Sequence, residues 1–214
     1  MLTDHWPVFG LRVTTPRLEL RPATQDDLVA LVELAELGIH APDYMPFSKP
    51  WTREEQPAKA RNALKYYWST WANWAPEDWY LLLAVVHEGR VIGVQDGAAK
   101  DFAHRREVMS GSWLGLAHQG QGLGTEMRAG WLELAFAGLG ARWAVSAALP
   151  DNAPSLGVSR RLGYADDGLE IEAGEDGGPR EVTRLRLTRE AWHQHRTIEA
   201  KVEGLDACRD MFGA

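Results

Sequence analysis

A single cysteine in 214 residues cannot form an intrachain disulfide, so Cys208 is expected to be a packed or tail thiol in a reducing compartment. No apolar run approaches the length of a membrane span. Met1 to Gly10 has neither the basic stretch nor the apolar stretch of an export signal, so a cytoplasmic protein is expected. Positive charge is also short: 23 Lys and Arg face 30 Asp and Glu, for a net charge of −7. Non-specific binding to nucleic acid or to an anionic membrane needs basic surface, and this balance excludes both. The seven histidines are scattered. His193 and His195 stand two apart, which does not put them on one helical face, so no metal site is expected. Internal repeats and low-complexity tracts are absent from the sequence.

Tryptophan, by contrast, is in surplus, with ten residues. The chain is otherwise ordinary for a globular protein at 45% hydrophobic and 25% charged, and its length suits one domain over 1–214, with a core at 12–195 and a tail at 200–214. Ten tryptophans exceed what one such core comfortably buries. A homodimer or higher homo-oligomer is therefore expected, using Tyr66 to Trp74 and the tail with Met211 and Phe212.

Hydrophobic periodicity orders the chain. Arg12 to Arg21 alternates Val13, Leu18 and Leu20 and predicts an opening strand. Thr24, with Asp27 three residues on, caps a helix whose stripe is Leu28, Leu31, Val32 and Ala35, ended by Gly38. Pro42, Pro46 and Pro50 make His40 to Trp51 an irregular loop. A helix carrying Leu64, Tyr67, Trp71 and Trp74 runs from about Thr52. Strands follow at Trp79–Val86 and Val91–Ala98, turning at Glu88-Gly89, and then at Glu107–Leu116. Beyond a glycine-rich stretch come a helix Thr125–Ala137, a strand Arg142–Leu149, a helix Pro154–Leu162, a strand Glu181–Leu187 and a helix from Thr188. The order β-α-α-β-β-β-α-β-α-β-α predicts an α/β (α+β) fold, a mixed and mostly antiparallel sheet flanked by helices.

The chemistry concentrates at His118-Gln119-Gly120-Gln121-Gly122-Leu123-Gly124-Thr125, between a strand and a helix. Glycines allow a sharp turn and close backbone approach, and the first-turn N–H groups of a helix attract an anion such as pyrophosphate. A plain turn is the competing structural reading. The nucleotide loop with Gly-Lys-Ser/Thr is excluded because Thr125 follows Gly124 directly. The dinucleotide fingerprint is excluded because position 125 is not glycine and the motif lies past mid-chain.

Gln119-x-x-Gly122-x-Gly124 resembles the acyl-CoA loop of the GCN5-related N-acetyltransferases (GNAT). Asn152-Ala153-Pro154-Ser155, followed by Arg161-Leu162-Gly163-Tyr164, is similar to the N-x-A-S…K-L-G-F signature of the Rim-type branch, with Arg and Tyr replacing Lys and Phe. Arg12 to Pro22 resembles that branch's opening T-x-R-L-x-L-R, and Trp192 its closing E-W. The resemblance implies acetyl-CoA, or another acyl-CoA, as co-substrate and a primary amine as acceptor. It assigns the backbone of Gln119, Gly120, Gln121, Gly122, Leu123, Gly124 and Thr125 to pyrophosphate. Trp113 and Leu114 would pair with pantetheine, Asn152 with a pantetheine amide, and Arg161 or Arg160 with the 3′-phosphate. Ser155 would assist the leaving thiolate.

As general base, Glu107 is the first candidate and Glu172 the second, with a surface carboxylate as the plain reading of either. The Met45 to Trp51 loop and the aromatic helix would wall the acceptor pocket, although the helix aromatics also read as core. Two alternatives stand beside acetyl transfer. One is a succinyl-CoA donor answered by Arg105 or Arg106; the other is a CoA-binding protein without turnover.

Overall fold

The computed structural model describes residues 1–174 and 178–214. Nine strands form one sheet: β1 (Arg12–Thr14), β2 (Leu18–Pro22), β3 (Asp78–His87), β4 (Arg90–Lys100), β5 (Glu107–Leu114), β6 (Trp143–Ala148), β7 (Ala165–Ala173), β8 (Pro179–Thr188) and β9 (Lys201–Glu203). Their spatial order is β7-β8-β6-β5-β4-β3-β2-β1-β9. Every neighbouring pair is antiparallel except β5 with β6. The main helices are α1 (Gln25–Glu36), α2 (Ala58–Ala72), α3 (Leu123–Leu132), α4 (Ala153–Arg161) and α5 (Arg189–His195). The mixed, mostly antiparallel architecture expected from the pattern is the one observed.

Local signals explain most boundaries. The Thr24 side chain accepts the Asp27 N–H while Asp27 reaches back to Thr24, a reciprocal cap for α1. Glu88 and Gly89 both take positive φ, 50° and 76°, as a two-residue hairpin turn requires. Three differences have physical causes. The opening strand breaks in two because Pro16 lacks an N–H and the Thr15 N–H turns back to the Leu18 carbonyl at 2.9 Å. β7 escaped the pattern because it is an edge strand, with Leu169 and Ile171 59% and 61% exposed, and so carries no buried stripe. The tail, finally, joins the sheet: β9 pairs with β1, and Phe212 is fully buried.

The sheet has two cores. On one face α3 and α4 pack with Leu123, Met127, Trp131, Leu156 and Leu162 against Leu20, Leu83, Val108 and Leu185. On the other, Leu28 and Leu31 of α1 and Tyr67 of α2 cover Leu82, Ala84 and Val94. Gly97 permits this closeness, since a Cβ there would overlap the Trp131 ring. Three of the ten tryptophans, Trp79, Trp131 and Trp192, are buried, and Trp68 is exposed. Trp79 donates to the Phe212 carbonyl at 3.0 Å, Trp74 packs edge-on against Phe212 at 5.2 Å, and Trp192 stacks on Phe136 at 5.1 Å. The tail is therefore core rather than free surface. Cys208 lies in the same core, and burial pushes its thiol up to about 11.

Candidate active site

β5 and β6 run parallel for only three residue pairs, Glu107 with Trp143, Val108 with Ala144 and Met109 with Val145. Beyond them the strands take different partners: β5 continues on β4 as far as Leu114, and β6 on β8 as far as Ala148. A wedge opens between them. Both strands end there in helix N-termini, since β5 leads to α3 and β6 to α4. The carboxyl ends of parallel strands are where an α/β crevice takes its ligand.

The glycine-rich turn forms one lip. Gly120 and Gly122 have φ of 73° and 79°, so both require glycine, and Gly122 is the N-cap of α3. A Cβ on Gly120 would meet nothing within 4 Å, which leaves the outer side open to a ligand. The Gln119 side chain is used structurally: its amide donates to the Ile39 and Leu114 carbonyls at 2.8 Å. The Gln121 amide likewise bonds the Ala117 carbonyl. Below the turn Glu126 accepts from Thr15, from the Arg17 N–H and from the Arg17 guanidinium. Burial raises the Glu126 pKa, but these bonds outweigh it and hold the carboxyl below its ordinary value. Arg161 reaches the Thr125 hydroxyl at 3.5 Å, placing a guanidinium at the start of α3.

Asn152 caps α4, its Oδ1 accepting the Ser155 N–H at 3.2 Å. Ser155 is half-buried in the first turn. Along β5 the Gly115 N–H bonds the Ile92 carbonyl at 3.0 Å. Antiparallel ladders alternate, so the Trp113 backbone faces β4 while Ser110, Ser112 and Leu114 face the wedge. Of the two strand residues expected at pantetheine, Leu114 is the one so oriented.

Two groups that the sequence reading passed over stand at the apex. Arg128 of α3 is 4% exposed and spans the wedge, donating to Ser112 Oγ on β5 at 3.0 Å and Ser146 Oγ on β6 at 3.3 Å. Among the described residues no carboxylate pairs with it, and its Nε has no partner. Trp131 Nε1 and Ser159 Oγ are also buried without hydrogen bonds, and the buried Tyr164 hydroxyl lies against Ser110 and Arg128. Its spacing was the available signal, since Arg128 lies three residues before Trp131, on the buried stripe.

On the opposite face Asp96 sits across from Gly111. Its Oδ1 accepts the Gly111 N–H at 2.6 Å, and a Cβ on Gly111 would come within 2.8 Å of that oxygen. Gln95 Nε2 donates to the Asp96 and Gly111 carbonyls at 2.9 Å. Burial raises the Asp96 pKa, against the Tyr80 hydroxyl, the Gly111 N–H and, through the sheet, Arg128. An acid inside Val91-Ile92-Gly93-Val94-Gln95-Asp96, an otherwise neutral strand stretch, was the missed signal.

The expected bases lie elsewhere. Glu107 stands at the closed end of the wedge, with one oxygen 2.6 Å from Arg105 and the other 3.0 Å from Arg186. Glu172 is on β7, opposite Arg180 and three strands away from β5. Arg105 is thus engaged, and Arg106 lies over the Phe102 ring. The proline-punctuated loop does reach the site: Phe47, Trp51 and Trp113 form a chain of rings 5.7 and 6.2 Å apart. Arg180 ties the loop to β8 by bonds to the Met45 and Phe47 carbonyls at 3.1 Å. An open cavity of about 660 Å³ adjoins it, lined by Tyr44, Arg53, Asp151 and Arg180 among others. The Tyr44 hydroxyl donates to Asp151 there, and burial pushes its pKa up to about 12. Of the aromatic helix, Trp71 and Trp74 pack on Phe9 and Phe212 instead, leaving Tyr66 and Tyr67 toward Asp96. Among the described residues no group of three or more His, Cys, Asp or Glu is placed to hold a metal ion, and no helix is long and apolar enough to cross a membrane.

A sheet split at its one parallel pair, with a glycine turn and an Asn-capped helix at the opening, defines an acyl-CoA transferase fold. Residues 17–165 match the family model described as "Acetyltransferase (GNAT) domain", and the chain belongs to that family of N-acetyltransferases. Solved structures share the fold. Mycobacterium smegmatis RimJ, in complex with CoA-disulfide, is 20% identical with a TM-score of 0.69, covering 86% of this chain and 90% of its own. RimL, a ribosomal alpha-N-protein acetyltransferase in complex with coenzyme A, is 20% identical with a TM-score of 0.66, covering 83% and 97%. A GCN5-related N-acetyltransferase from Brucella melitensis is 17% identical with a TM-score of 0.67, covering 86% and 81%.

Proposed function

We propose that the protein transfers acetyl from acetyl-CoA to a primary amine of a small molecule or peptide, by direct attack. The observation that carries this reading is the wedge between β5 and β6, with helix N-termini on both lips. The N–H groups of Gly120 to Thr125 take the pyrophosphate, and Arg161 takes a phosphate beside them. The pantetheine arm adds to the exposed edge of β5 at Ser112 and Leu114, as an extended peptide adds to a sheet. Asn152 meets a pantetheine amide, and Ser155 solvates or protonates the departing thiolate. The amine arrives from the Asp96 face, beneath Tyr66, Trp51 and Trp113. Free thiol release, measured for arylalkylamines, polyamines and short peptides with acetyl-CoA, tests this. Release that depends on an amine supports the reading, and none from any amine contradicts it.

Arg128 favours a second reading of the donor. A buried guanidinium with only hydroxyl partners is costly, and an anion reaching it removes the cost. A terminal acyl carboxylate, as in succinyl-CoA, is such an anion. Under this reading succinyl-CoA outperforms acetyl-CoA, and Arg128→Leu reverses the preference. A cytoplasmic protein fits both readings. A symmetric dimer would rest on the exposed Trp68 face of α2, because Phe212 is committed to the chain's own core.

A further inference from the structure

The half-buried positions Tyr80, Asp96, Gly111 and Trp113, with the more exposed Tyr66 and Met109, form one strip on the α2 face of β3, β4 and β5. The rest of that face is covered by α1 and α2. An amine that reaches the wedge from this side passes over Gly111, two residues beyond the last parallel pair. The carboxylate nearest to Gly111 belongs to Asp96, directly opposite in register and bonded to its N–H. Glu107, at the closed end of the wedge, is occupied between Arg105 and Arg186, and Asp167 of β7 shares Arg186 and also pairs with Arg184. Among the described residues Asp96 is met at close range by neutral donors, and its cationic neighbour, Arg128, acts from the opposite face of the sheet.

We infer that Asp96, rather than Glu107, is the general base that takes the proton of the acceptor amine, with Tyr80 as its positioning residue. The inference rests on the acyl-transfer reading above. The ammonium gives one proton to an Asp96 oxygen, and the freed nitrogen lone pair forms the new N–C bond at the thioester carbon. The C–S bond breaks with its electron pair on sulfur, and the second N–H proton goes to that thiolate. Asp96 then releases its proton to solvent, so each turnover frees one proton. The groups facing the carboxylate are Tyr80 of β3, Tyr66 and Tyr67 of α2, the Gly111 N–H of β5 and, across the sheet, Arg128 of α3. Enclosure among them raises the Asp96 pKa above the ordinary carboxylate value.

Asp96→Asn separates the proton role from a structural one. An asparagine oxygen still accepts the Gly111 N–H but cannot take a proton. With the fastest amine of the panel, kcat/KM should fall by roughly 100-fold or more, the acidic limb of its pH profile should vanish, and CoA affinity should stay within about twofold. Tyr80→Phe removes a bond that favours the charged carboxylate, so in that variant the acidic limb should move to higher pH. Wild-type protein inactive with every amine would remove the acyl-transfer reading itself. An active wild type whose Asp96→Asn variant keeps its rate within threefold, or keeps its acidic limb, would overturn the assignment of Asp96 alone. If Asp96→Asn does not fold, an unmoved limb in Tyr80→Phe overturns it.

Discussion

The donor side and the acceptor side of the wedge are built from different materials. On the donor side the proposed binding is by backbone: N–H groups of the Gly120 to Thr125 turn, the open edge of β5 and a capped helix start. On the acceptor side the proposed contacts are side chains from four separate stretches: Phe47 and Trp51, Tyr66 and Tyr67, Tyr80, and Asp96. Backbone sites need particular residues, glycine where φ is positive and asparagine at a cap, so they leave short motifs in sequence. Side-chain sites assembled across distant strands leave none. The donor should therefore be fixed while the acceptor varies among proteins of this fold, in keeping with function residing in grafted sites.

The largest break in this comparison is expected at Gly122. A valine there must adopt a φ of 79°, at a cost of about 1–3 kcal/mol, and brings methyl groups toward the pyrophosphate position. CoA affinity should drop by about 100-fold or more in a protein that still folds, measured by calorimetry with circular dichroism as the control. Unchanged affinity would move the donor elsewhere. Ser155→Ala should lower kcat by roughly tenfold, near or below the usual range for a lone acid because water can replace the hydroxyl, and should leave CoA binding alone. Intact mass after mixing with acyl-CoA should show no acyl group on Ser155. A smaller effect belongs to the acceptor side. Phe47→Ala should raise the amine KM by about threefold or change amine choice, with CoA affinity unmoved. If it lowers only the melting temperature, the loop is a plug.

The smallest expected effect sharpens the donor side through pH. Glu126 is held below its ordinary pKa, so its contribution to stability is present above the unfolded value and is lost as pH falls through the folded one. Arg17→Ala takes away the guanidinium contact that helps hold it down and should move the midpoint of acid unfolding to higher pH. An unmoved midpoint would mean that Arg17 does not tie the opening hairpin to α3.

Legibility in the sequence follows the same division. The α1 cap at Thr24 and Asp27, the Glu88-Gly89 hairpin and the α3 turn were readable because each rests on local residue chemistry. β7 was not, because an edge strand exposed on both faces has no apolar alternation to read. The tail's place in the chain's own core, rather than at the expected subunit interface, is hidden because β9 is only three residues long and Phe212 meets Trp74 and Trp79 across more than 130 residues of chain. Arg128 and Asp96 were hidden for a related reason. Each is a single residue whose partners lie on other elements, and its meaning appears only when β4, β5, β6 and α3 meet.

The central claim is that acyl-CoA occupies the wedge between β5 and β6 and is approached by the amine from the Asp96 face. Amide hydrogen exchange with and without CoA measures this most directly. CoA should slow exchange at Ser112 and Leu114, whose backbones face the wedge, and from Gly120 to Thr125, while Tyr66 to Ala72 of α2 exchanges as before. Protection confined to α2 or to the Met45 to Trp51 loop, with 112–125 unchanged, would contradict the account.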